Sequence, residues 1–215
     1  MVIDVGANHG QFVCLVLQAT PHAKVLSYEA NPRAVTIYKD KHDKELCVRK
    51  RASIICKAIS NASGLITLYD YSSEAGSGHA SVNKEIFDDL YNVKDMAEIV
   101  VESSTLDREL ERYRDISEIC LVKYDIEGHE LEAIQGSIKT LANAGFSPVL
   151  IEFNEMNAVM GSSFYKIRKM LGSRYKPYRL LPKGSLLPLE SSPAYDTEIY
   201  AYQNIVFMCE EPRFT

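Results

Sequence analysis

This sequence predicts an α/β fold: a mostly parallel sheet with helices on both faces. Three observations point there. Short apolar runs rich in Val, Ile and Leu alternate with stretches of helical apolar spacing along most of the chain. The first run, Val2-Ile3-Asp4-Val5, passes through Gly6-Ala7-Asn8-His9-Gly10 straight into an apolar helix. Glycines or acids recur where these runs end, at Gly6 to Gly10, Glu29, Asp125 to Glu127 and Glu152 to Asn154. Ligands of open parallel sheets bind outside the carboxyl ends of the strands.

The elements follow in order. A strand over residues 1–5 leads to a helix over 10–19, which stops before Pro21. A second strand covers 24–29. Asn31 then caps a helix that has Pro32 at its first position, a favoured start because proline lacks the N–H that would go unpaired there. The run Ala52 to Ile59 predicts a third strand, and Asn61 to Gly64 a turn into a strand over 65–69. Residues 72–84, rich in Ser and Gly, read as a loop. A short helix around Ile86, Phe87 and Leu90, a strand over 99–102 and a polar helix from Ser104 to Tyr113 come next. Ile119 to Asp125 is another core strand. Leu131, Ile134, Ile138 and Leu141 then share one helix face. Pro148 to Phe153 is a strand. Ser162 or Ser163 caps a helix ending at Gly172. Tyr178 to Leu181 and Gln203 to Met208 complete the sheet.

At 215 residues the length suits one domain, 1–215, with ~150 residues as a soft guide. Hydrophobic residues make up 46% and charged residues 25%, enough for a packed core. A net charge of −5 argues against a nucleic-acid partner, which calls for a basic face. The basic stretch Arg49, Lys50, Arg51 and Lys57 reads as solvated surface. No apolar run reaches the roughly 18 residues of a membrane span. The N-terminus enters a core strand directly, so no secretory signal is expected. Five scattered cysteines without a C-x-x-C pair suggest reduced thiols in a cytoplasmic protein. Oligomeric state leaves no mark in the sequence.

The Gly6–Gly10 turn brings bare backbone and a helix N-terminus to the end of the first strand. Glu29 closes the second strand, where a carboxylate suits the two adjacent hydroxyls of a ribose. Together they indicate a nucleotide-like ligand. The G-x-G-x-x-G dinucleotide fingerprint and the P-loop are both absent. A loop without pyrophosphate spacing fits a phosphate-free ligand such as S-adenosylmethionine.

Asp4-Val-Gly-Ala-Asn-x-Gly10, Tyr28-Glu-Ala-Asn-Pro32, Thr105-Leu106-Asp107, Lys123-x-Asp125-x-Glu127-Gly128-x-Glu130 and Val149-Leu-Ile-Glu152 occur in this order. The ordered set, spanning about residues 2–155, strongly resembles the FkbM-type methyltransferases. The resemblance implies a Rossmann-like class I methyltransferase fold, seven strands with the last antiparallel, and S-adenosylmethionine as cofactor. It implies O-methylation of a hydroxyl on a sugar or natural-product-like acceptor, so that the partner is a small molecule or glycan. Carried over by position, Asp4, Gly6, Ala7, Asn8 and Gly10 form the cofactor loop. Glu29 holds the ribose, flanked by Ala30 and Asn31. Lys57, Ala58 and Ile59 fall at the adenine, and Asp125 lies near the methionine end. Related enzymes often place an acid before an apolar residue at the adenine. This chain has Lys57-Ala58, which leaves backbone contacts or Ser60 to serve.

Methyl transfer chiefly needs nucleophile, methyl and sulfur aligned. A hydroxyl nucleophile also needs a base. Asp125, Glu127, Glu152 and His129 are the catalytic candidates. His129 has the best unperturbed pKa but starts a helix, whose positive end disfavours its charged form; it equally suits a surface cap. Glu127 alternatively accepts the helix N-terminal amides. Glu152 needs a partner if buried, with Lys123 on the next strand available. Asp125, Glu127 and Glu152 offer oxygens for a hard cation, but the spacing does not demand one and none is expected. His79, in Gly76 to Ser81, is an acceptor contact or an exposed loop residue.

Two other readings stay open: a non-catalytic module that binds S-adenosylmethionine or a partner, and a nicotinamide-dependent oxidoreductase. The chain starts inside its first strand, whereas family members commonly carry upstream sequence that covers the cofactor. Residues 72–100 and 156–215 carry no motif of this set and are the expected seat of acceptor choice.

Overall fold

The computed structural model describes residues 1–42, 50–72, 79–93, 95–111, 113, 118–145 and 147–209. The basic residue Arg49 and the loop glycines Gly76 and Gly78 fall outside them.

The main sheet is built from β1 (Val2–Val5), β2 (Val25–Glu29), β3 (Ala52–Cys56), β7 (Leu121–Tyr124), β8 (Val149–Phe153), β9 (Tyr175–Leu180), β10 (Leu186–Pro188) and β11 (Gln203–Cys209), ordered β10-β9-β11-β8-β7-β1-β2-β3. The five strands from β3 to β8 run parallel. β11 enters antiparallel between β8 and β9. Seven strands therefore give the expected sheet with its last strand reversed, and three-residue β10 adds an eighth at the edge. The order turns back at β1 and β7, which opens a crevice at their carboxyl ends.

Helices α1 (Gln11–Ala19) and α2 (Pro32–His42) follow β1 and β2. Val13 and Leu17 of α1 pack with Val2 and Val25 on one face. The larger core, on the other face, gathers Ile3, Val5, Tyr28, Val122, Tyr124 and Ile151 with Leu106, Ile134 and Phe164 of the helices there. β1 is buried on both faces, which is why its four residues are apolar but for Asp4, itself fully buried.

Three expectations need correction. The run from Ala52 to Ile59 is not one strand. Lys57 donates its N–H to the Glu29 carbonyl at 2.9 Å, the last tie to β2. The chain then leaves the sheet, and β4 (Ala58–Ile59) pairs with β6 (Met96–Ser104) in a second sheet ordered β4-β6-β5, with β5 spanning Gly64–Tyr71. The helix expected through Leu131 and Leu141 is broken into Glu130–Gln135 and Ile138–Asn143. The cause is tertiary. A Cβ on Gly136 would stand 2.0 Å from the Ser60 carbonyl, and the Asp107 carboxylate caps the second helix by accepting from Lys139 N and Thr140 N. Finally, Glu155–Val159 is a short helix the periodicity does not show; Asn154 and Asn157 form a reciprocal capping box at its start.

Candidate active site

The carboxyl end of β1 is wedged between its neighbours. Gly6 N and Ala7 N both donate to the Tyr28 carbonyl, at 2.9 and 3.1 Å, and Asp125 N donates to the Val5 carbonyl. A Cβ on Gly6 would lie 1.7 Å from the Asp125 carbonyl oxygen, and φ there is +87°. Only glycine fits.

Above this junction lies a cleft of about 810 Å³, open to solvent. Gly6, Asn8, Glu29, Ala30, Ala58, Ile59, Asp125, Glu127, His129 and Glu152 line it, as the sequence reading expected. Asp4, Ala7, Gly10 and Asn31, also assigned to cofactor binding, do not line it and stand behind the lining. Leu68, Ala80 and Val82 were not foreseen. They come from the second sheet and its flank, and no local pattern marks residues brought in by tertiary packing.

Glu29 lines the cleft at the end of β2. Its carboxylate accepts from Asn8 N and Asn31 N, each at 2.8 Å. Burial raises its pKa while those amides pull it down. Asn31 in turn donates its side-chain amide to Asp70 of β5 at 2.7 Å, a buried bond joining the loop to the second sheet.

One end of the cleft is apolar, with Ala30, Ala58, Ile59, Leu68 and Val82. Here His129 is not the surface cap that one reading allowed. It is buried and makes no cap bond; its Nε2 lies 2.9 Å from Ser60 Oγ. Burial lowers its pKa to about 4, so the ring is neutral near pH 7.

The other end is acidic. Single oxygens of Asp125, Glu127 and Glu152 all lie within 4.8 Å of one another. Burial, then the charges of Asp125, Glu152 and Glu130, push Glu127 up to about 9. Burial and Asp125 push Glu152 up to about 7. Like charges this close oppose ionisation, which adds to the effect of burial on Glu127 and Glu152. Glu127 is 12% exposed, its Oε2 has no hydrogen-bond partner among the described residues, and its φ of +55° is unusual for a non-glycine residue. The amide-accepting role considered for Glu127 belongs to Glu130, which takes Ile126 N and Gly128 N on Oε1 and Asn157 Nδ2 on Oε2. His79 is half-exposed, with Nδ1 3.8 Å from Glu127 Oε1.

Lys123 does not form the ion pair with Glu152 that the sequence offered. Its Nζ is 2.8 Å from Asp125 Oδ2 and 3.5 Å from Asp4 Oδ1. Burial favours the neutral amine, yet Asp4 and Asp125 outweigh it and raise the pKa. Glu152 instead accepts from Asn154 Nδ2 at 3.2 Å and shares a hydrogen bond with Tyr202.

S-adenosylmethionine fits these surroundings. It pairs a flat base with a diol and an amino-acid end joined through a positive sulfonium, and the cleft is lined by an apolar group, by Glu29 at the end of β2 and by carboxylates at the ends of β7 and β8. Fold and site define a Rossmann-like methyltransferase of class I. The Methyltransferase FkbM domain family matches residues 4–180, and the chain belongs to that family, with S-adenosylmethionine as its cofactor. Among solved structures, methyltransferase FkbM from Methylobacillus flagellatus KT superposes with a TM-score of 0.55 at 12% identity, covering 96% of this chain and 43% of that one. This chain thus spans under half the length of that relative. A candidate O-methyltransferase from Klebsiella pneumoniae gives 0.50 at 9% identity, covering 97% and 73%. No curated protein matches. Among the described residues no helix is long and apolar enough to cross a membrane, and Cys56 and Cys120 are free thiols.

Proposed function

We propose that the chain is an O-methyltransferase acting on a hydroxyl of a sugar or natural-product-like acceptor, with Glu127 as general base. The observation that carries this is Glu127 Oε2, unpartnered among the described residues, in the acidic part of the cleft beside Asp125 and Glu152. When bound, S-adenosylmethionine supplies an electrophilic methyl on a positively charged sulfur.

The chain's own residues do the rest. Glu29 accepts from the ribose hydroxyls. Ala30, Ala58, Ile59 and Leu68 enclose the base. Gly6 and Asn8 offer backbone, and Asp125 attends the amino-acid end. Glu127 takes the proton from the acceptor hydroxyl. In the free chain it holds a proton near neutral pH; positive charge in the cleft favours its ionised form, which is the form a base needs. His129, neutral and tied to Ser60, is a weak base and belongs to the apolar end. Residues 1–215 make one methyltransferase unit, working in the cytoplasm on a small-molecule or glycan acceptor.

Thermal shifts with S-adenosylmethionine, S-adenosylhomocysteine and NADH, against Glu29→Ala, test the first half. At ~100 times Kd a ligand adds about 2.7 kcal/mol. Stabilisation by the two adenosyl ligands alone, lost in the variant, is the expected result. Methyl release from labelled cofactor across a panel of hydroxylated acceptors tests the second. Cofactor binding without turnover on any acceptor would favour a non-catalytic module.

A further inference from the structure

Gly10 lies behind the cleft lining, and what it makes room for is a side chain. It has φ of +84°, and a Cβ there would stand 2.4 Å from His42 Nε2 and 2.8 Å from the Tyr38 ring. His42 is the last residue of α2 and is buried at 6% exposure. Its Nε2 lies 3.0 Å from the His9 carbonyl oxygen. A carbonyl only accepts, so Nε2 carries a proton, and in the neutral ring Nδ1 is then the acceptor. Nδ1 faces Cys14 Sγ of α1 at 3.8 Å, where the thiol donates. The edge of Tyr38 packs on the ring, with centroids 4.8 Å apart.

The imidazole therefore joins three parts of the chain: the end of α2, the first turn of α1 and the loop between β1 and α1. We propose that His42 is a positioning residue for the cofactor loop, holding the His9 peptide from behind so that the loop keeps the path its ligand requires. Other loop bonds tie that path to β2 and to the loop itself. Gly6 N and Ala7 N go to the Tyr28 carbonyl, Gly10 N goes to the Ala7 carbonyl, and Asn8 N goes to Glu29. His42 supplies the tie to α2. Releasing it loosens the His9–Gly10 peptide, whose N–H stays on the Ala7 carbonyl, two peptide units along from the Asn8 N–H that donates to Glu29. The proposal rests on this loop being the cofactor's.

The test compares wild type, His42→Leu and His42→Gln by calorimetric titration with S-adenosylmethionine and S-adenosylhomocysteine, alongside ligand-free melting. Glutamine keeps an N–H donor near the Nε2 position; leucine keeps volume without one. The expected result is at least a tenfold rise in Kd for both ligands in His42→Leu, with His42→Gln within about threefold of wild type. Nitrogen NMR of the wild-type imidazole gives an arm independent of the variants, with the Nε2–H tautomer expected. Leucine binding like wild type, glutamine as weak as leucine, or the Nδ1–H tautomer would each overturn the proposal. Failure of the wild-type chain to bind either ligand would overturn the cofactor assignment and this proposal together; the other failures strike the proposal alone.

Discussion

Replacing Lys123 by methionine removes the cation that sits between Asp4 and Asp125 and leaves a side chain of similar length. Lys123 is 10% exposed and Asp4 is fully buried. Breaking a buried ion pair by deleting one partner costs about 3–5 kcal/mol. The pH dependence of that loss is the sharper test. Burial already raises the Asp4 carboxyl from 3.8 to about 6, against the pull of Lys123. At about 1.4 kcal/mol per pKa unit, keeping Asp4 ionised at neutral pH costs about 3 kcal/mol even with the lysine present. The folded chain holds this proton more tightly than the unfolded one. Its contribution to stability is therefore fully present below about pH 4 and is lost as pH rises through about 6. Without Lys123 the carboxyl moves further up and the loss continues to higher pH. Lys123→Met is thus expected to fall short of wild type by about 3–5 kcal/mol at pH 8, roughly 6–20 °C in Tm for a chain of this size. The deficit should shrink at pH 5, where Asp4 is mostly protonated in both proteins. Adding Asp4→Asn should recover part of it, since no buried charge is then stranded. Melting curves of the three proteins at both pH values decide the matter. An equal deficit at pH 5 and pH 8, or a double variant no better than the single, would refute the electrostatic account.

Glu127→Gln should raise Tm at pH 8 by on the order of 5 °C and leave it unchanged at pH 4, since a carboxyl raised to about 9 costs stability only above its unfolded value near 4.5. The same variant should lower turnover about 10²–10⁴-fold once an acceptor is found. Gly6→Ala should abolish the fold or melt well below wild type, because its Cβ would meet the Asp125 carbonyl at 1.7 Å. Circular dichroism melting checks it. Asp70→Ala leaves the buried Asn31 amide without its acceptor, a cost of about 1–3 kcal/mol in stability, readable by urea unfolding. Cofactor binding is expected to be the same in EDTA and in added Mg²⁺; a metal-dependent Kd would instead mark Asp125, Glu127 and Glu152 as cation ligands.

The parallel half of the main sheet is legible in the sequence because its strands are buried on both faces and read as continuous apolar runs. Its ligand side is legible because Gly6, Glu29, Asp125 and Glu152 end those runs. Lys57 shows where this stops. No local feature says that the chain changes sheets there; the switch depends on β6, distant in sequence, accepting Ala58 and Ile59. The same holds for Leu68, Ala80 and Val82, whose place in the cleft follows from the second sheet. Lys123 was legible as a buried cation but not in its choice of partner. Residues two apart on a strand share a face, which favours Asp125, and register alone sets Asp4 opposite it. Glu127 and Glu130 are both acids near one turn, and only the positive φ of Glu127 and Gly128 separates the one that caps from the one that faces the cleft.

A sheet left open at both sides invites other chains to extend it, and β10 bears on that hazard. It is the outermost strand at one side, only three residues long, and it ends in Pro188, which has no N–H to offer a newcomer. Leu186 and Leu187 are exposed there, yet the row of backbone groups beside them is too short to template a further strand. The molecule thus keeps an apolar rim without presenting a growing edge, so lengthening this strand or replacing Pro188 is where self-association would be expected to begin.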